Sequence, residues 1–81
     1  MSSKRENGIN HAKNCIIKYK ALGFQSEQEL IIHTLKEAEV DIAYANYMIA
    51  IAIRGKKESE IKIWSEDLQF HLGIKEGLLT N

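Results

Sequence analysis

Residues 26–55 read SEQELIIHTLKEAEVDIAYANYMIAIAIRG, and this stretch decides the fold. It opens on Ser26-x-x-Glu29, a capping box. The serine hydroxyl accepts from the backbone of residue 29 while the glutamate reaches back. It closes on Arg54-Gly55, a cation where the helix dipole favours one and a residue suited to stopping a helix. The chain contains no proline to interrupt what lies between. One helix over residues 27–54 is predicted, ~42 Å long at 1.5 Å per residue.

The helix carries a regular seam. Ile31, Leu35, Ala38, Ile42, Ala45, Ile49 and Ala52 recur at alternating spacings of four and three. That is a heptad pattern, with alanine at every second position from Ala38 onward. Small residues there let a second helix approach closely, and an antiparallel one can set a large residue against each alanine. A second apolar line, Val40, Tyr44, Tyr47 and Ile51, is offset from the seam, with Met48 and Ile53 beside it. The first half of the helix is amphipathic. The second half is apolar on every side, and Asn46 is its one polar side chain between residues 43 and 53.

Two shorter helices are expected around it. Ile9, Ala12, Ile16 and Tyr19 form a stripe at helical spacing, which predicts a helix over about residues 9–22. Asn7 or Asn10 is placed to cap it, and Gly23 to end it in a left-handed conformation. The short connector to Ser26 predicts an antiparallel hairpin with the long helix. Residues 58–81 begin with ESEIKIWSEDLQFHLG. Ile61, Trp64, Leu68 and Leu72 lie on one helical face, which predicts a third helix over about residues 58–72, stopped at Gly73. The same stretch alternates, so a β-hairpin over residues 60–74 is the alternative. The expected architecture is one all-α domain of three helices built on the long central one, frayed over residues 1–6 and 78–81.

Charge is balanced overall, with 11 basic and 11 acidic residues, yet it is segregated. Residues 1–25 carry five positive and one negative, 26–41 one and five, 42–57 three and none, 58–81 two and five. A basic first helix on the acidic start of the second accounts for the alternation without a ligand. Zero net charge gives no general attraction to nucleic acid. Arg54, Lys56 and Lys57 form a basic cluster suited to a nucleic-acid contact, and Lys4 and Arg5 another, but dipole-satisfying lysines and a solvated tail explain them better. The polar N-terminus lacks a secretory h-region, and the apolar run near residue 48 is too short to span a bilayer. A cytoplasmic location is expected, and the lone Cys15 suits a reducing compartment.

Catalytic and metal motifs are missing from the sequence. Glu29, His33, Glu37 and Asp41 share a helix face, as do His11 and Cys15, but no paired ligand spacing occurs. No G-x-S-x-G and no phosphate loop is present. A non-enzyme is therefore expected, with no cofactor and no metal. Two short neighbours cannot encircle a helix apolar all round, so a homodimer is expected, joined at Ala38, Ile42, Ala45, Ile49 and Ala52. Tyr44, Asn46, Tyr47, Ile51 and Trp64 are the expected partner or ligand surface, with Asn46 also suited to fixing register. The expected function is a protein-binding regulator, inhibitor or adaptor, a small accessory factor of bacterial or phage type. Small-ligand or nucleic-acid binding at the subunit interface is the alternative.

Overall fold

The computed structural model describes residues 3–80. The chain is all-α, with three helices: α1 Lys4–Ile17, α2 Glu27–Arg54 and α3 Glu58–Leu79. The capping box is formed. Glu29 N donates to Ser26 Oγ at 3.1 Å, and Gln25 N donates to the Glu29 carboxylate at 3.3 Å. The helix between Ser26 and Gly55 is unbroken.

Both termini of α2 and its neighbours close with defined backbone motifs. Gly23 adopts φ 93°, with Phe24 N donating to Tyr19 O and Gly23 N to Lys20 O. This is a Schellman closure at the predicted glycine. It ends an irregular turn over residues 18–23, because α1 itself loses regularity after Ile17. A second Schellman closure follows α2. Lys57 N donates to Ala52 O and Lys56 N to Ile53 O. Here the left-handed residue is Lys56, at φ 54°, while Gly55 remains right-handed at φ −81°.

α1 begins at Lys4, not near residue 9. Ser3 is its cap, accepting from Glu6 N at 3.1 Å. The start was hidden by Gly8, which reads locally as a breaker but lies inside the helix. α3 likewise runs to Leu79 through Gly73 and Gly77 instead of stopping at residue 72. Residues 4–6 and 78–79 are helical where fraying was expected, and Leu78 is buried. Residues 1, 2 and 81 lie outside the described part. The hairpin alternative over residues 60–74 is not formed.

The three interior glycines share one cause. α1 crosses α3 with Arg5 and Gly8 at the level of Gly73, and Ile9 and Ala12 at Gly77. A Cβ on Gly8 would overlap the Phe70 carbonyl oxygen, and one on Gly73 would overlap the Arg5 carbonyl oxygen. A Cβ on Gly77 would stand 2.8 Å from Ile9 O. Glycine costs helix propensity at each position. It is used because no other residue allows two backbones this close.

α1 therefore packs mainly on α3 and only lightly on α2, which corrects the expected α1–α2 hairpin. α2 is the longest helix, but α3 is the one against which both others mainly pack. α2 and α3 run antiparallel, fixed by Asp41–His71 at 3.3 Å and Glu39–Lys75 at 3.5 Å. Ala12, Ile16, Leu30, Ala38, Ile74 and Leu78 form the core where all three helices meet, with Ile31, Leu35 and Phe70 packed around it.

Candidate interaction surface

The alanine seam is a helix–helix contact, and its partner is α3 of the same chain. Ala38, Ala45 and Ala52 are 2%, 0% and 1% exposed, with Ile42 and Ile49 half-buried beside them. Continuing the Asp41–His71 register along the pair brings Ala45 to the level of Leu68 and Ala52 to that of Ile61, both half-buried. The three alanines assigned to a subunit interface thus have almost no surface left to offer one, and Ile42 and Ile49 keep only part of theirs. The correction follows from the length of α3. At 22 residues, ~33 Å, it covers most of α2 on that side.

The second apolar line stays uncovered. Val40, Tyr44, Tyr47 and Ile51 are 68%, 54%, 63% and 43% exposed. Their spacings of four, three and four keep them on one face of α2. Glu37 precedes Val40 by three residues and Arg54 follows Ile51 by three, both exposed, so the line is closed by an anion at one end and a cation at the other. Trp64 of α3 supports it from the side, its ring edge-on to Tyr44 at 5.4 Å between centroids. Ala43 and Ala50 flank the line on one side and leave it accessible to another helix.

Asn46 does not belong to this surface. It is exposed, and at 100° per residue it points about 160° away from Tyr44 around α2. Trp64 is half-buried and acts as a support more than as a contact. Glu37 was not assigned to the surface from sequence, and Arg54 was assigned only to nucleic acid. The periodicity that placed Val40 and Ile51 also places these two, once the line is extended by one turn each way.

The polar clusters are scattered. His71 lies half-buried between Asp67 and Asp41. Its Nδ1 donates to the Asp67 carbonyl at 2.9 Å, and Nε2 stands 3.3 Å from the Asp41 carboxylate. This joins α3 to α2 beside a cleft of about 230 Å³ that His11, Glu37 and Phe70 also line. His11 Nε2 is 3.6 Å from Cys15 Sγ. His33 pairs with Glu37 at 3.1 Å and leans on the Phe24 ring. Among the described residues no three potential metal ligands converge. Arg54, Lys56 and Lys57 occupy the exposed α2–α3 turn, with Lys57 Nζ 3.9 Å from Glu60. Among the described residues no helix is long and apolar enough to cross a membrane.

Comparison with known proteins adds no relative: no family model matches the chain, and neither curated proteins nor solved structures give a match.

Proposed function

We propose that the protein is a non-catalytic, protein-binding factor of regulator, inhibitor or adaptor type that works as a homo-oligomer and associates through the exposed line on α2. One observation carries this reading: after the three helices have packed, Val40, Tyr44, Tyr47 and Ile51 remain more than two-fifths exposed in one continuous row. Full burial of a large apolar side chain is worth ~1.5–3 kcal/mol, so the row holds a substantial unused driving force for association. Tyrosine favours such contacts, joining apolar area to a hydroxyl that tolerates water. Scattered exposed apolar residues are ordinary on any surface, but a row at heptad spacing is the form in which one helix meets another.

The nucleic-acid alternative has three cations at an exposed turn, one of them near Glu60. The small-ligand alternative has a cleft of about 230 Å³ lined by His11, Glu37, Asp41 and His71, which lies away from the exposed α2 line. Placing a photo-activatable phenylalanine at Tyr47, with a control at the exposed Lys13 on α1, tests the reading in cells. Protein adducts from position 47 and none from position 13 are expected. Absence of adducts at position 47 overturns it.

A further inference from the structure

The exposed line on α2 is self-complementary, and we propose that its occupant is a second copy of this chain, paired antiparallel about a two-fold axis midway between residues 45 and 46. This rests on the association reading above and names its partner. Extended to its charged ends, the line reads Glu37, Val40, Tyr44, Tyr47, Ile51, Arg54. Reversed onto itself, it sets Glu37 against Arg54, Val40 against Ile51, and Tyr44 against Tyr47. All three pairs share the same centre. Chemistry matches at each level: anion with cation, aliphatic with aliphatic, aromatic with aromatic.

The symmetry doubles every contact. One dimer holds two Glu37–Arg54 pairs, one closing each end of an apolar strip ~17 Å long. A parallel copy would set Glu37 on Glu37 and Arg54 on Arg54, so the end charges select the antiparallel arrangement. Ala43 and Ala50, at the edge of the strip, let the two α2 helices approach. Among the described residues Glu37 pairs with His33 alone and is about three-fifths exposed, so it can reach across an interface. The dimer has two α2 helices at its centre, each backed by its own α3, an antiparallel four-helix assembly.

Charge exchange tests this directly: both end residues are exposed, so their replacement should keep the helical signal of wild type, which circular dichroism checks. Sedimentation equilibrium is measured on wild type, Glu37→Arg, Arg54→Glu and the double variant. Each single variant should dimerise about tenfold more weakly, because two attractive pairs become repulsive. The double variant should return to near wild-type strength, and an equimolar mixture of the two single variants should form heterodimers. A double variant no stronger than the singles overturns the antiparallel pairing, as does a wild type that stays monomeric at micromolar concentration. In that event, photo-adducts of foreign mass at Tyr47 would keep the protein-binding reading alive, whereas no adducts at all would remove both.

Discussion

Gly73 sets two residue-scale effects against each other. Alanine in a helix interior is favoured over glycine by ~1 kcal/mol. At Gly73 the added methyl would overlap the Arg5 carbonyl oxygen, a backbone atom that cannot rotate away. Overpacking of this kind costs ~1–3 kcal/mol, and here the helix α1 must move as a body. Gly73→Ala should therefore lower stability despite the better propensity, and thermal unfolding will read it as a lower Tm. Gly55→Ala is the control. Its Cβ would meet nothing nearer than 3.6 Å, and its φ is ordinary, so the Tm should hold or rise. Lys56 offers the converse case. It holds φ 54°, a region that costs a side-chain-bearing residue ~1 kcal/mol and glycine little. Lys56→Gly should raise the Tm by roughly 4–8 °C in a chain of this size.

Glycines also mark the limit of what the sequence discloses at this scale. Gly23 was legible, because a glycine just after a helical stripe has a local explanation. Gly8, Gly73 and Gly77 were not. A glycine needed for close approach looks the same in sequence as one that ends a helix, and only the opposing backbone separates the two. Ser3-Lys4-Arg5-Glu6 did carry the S-x-x-E signature of the true start of α1. Gly8 and the polar run over residues 2–7 masked it.

For the elements, α2 was read to its actual ends because both carry strong local signals, the capping box and Arg54-Gly55. The seam was legible as a contact between helices, but its owner was not. Heptad spacing shows that a second helix lies there and is silent on which chain supplies it. The C-terminal turns of α3 decide that question. They bring Gly73, Ile74, Gly77 and Leu78 into the core that docks α1 and the start of α2. A chain ending at residue 72, where α3 was expected to stop, should lose cooperative unfolding and most of its helical signal by circular dichroism. Ile74→Ala keeps the length and removes a buried side chain, and should cost ~2–5 kcal/mol in denaturant unfolding. Retention of cooperative folding by the truncated chain would mean that α1 docks without the glycine contact.

On the scale of the whole molecule, the chain is elongated, 45 × 27 × 19 Å, because α2 extends past α1 and is paired there with α3 alone. That asymmetry leaves one face of the long helix bare. Sequence reasoning identified both apolar lines of α2 and gave both an outward role: the alanines of the seam are internal, and the tyrosine line is the one left exposed. The difference between the two lines has a simple physical origin. Alanines bury fully under a neighbour because they are small, whereas tyrosines are the residues a surface can present to water and to another protein alike. The proposed association surface therefore contains Tyr44, Tyr47 and Ile51, as in the sequence reading, leaves out Asn46, and adds Glu37, Val40 and Arg54.

The most direct measurement is the solution mass of wild type and of Tyr47→Glu, by sedimentation equilibrium across the micromolar range. Tyr47 is exposed, so its replacement leaves each chain folded while placing two carboxylates beside the proposed axis. Wild type should approach twice the 9.2 kDa of one chain as concentration rises, and Tyr47→Glu should remain at 9.2 kDa. A monomeric wild type, or a Tyr47→Glu variant that dimerises as well as wild type, would contradict association of two copies through this face.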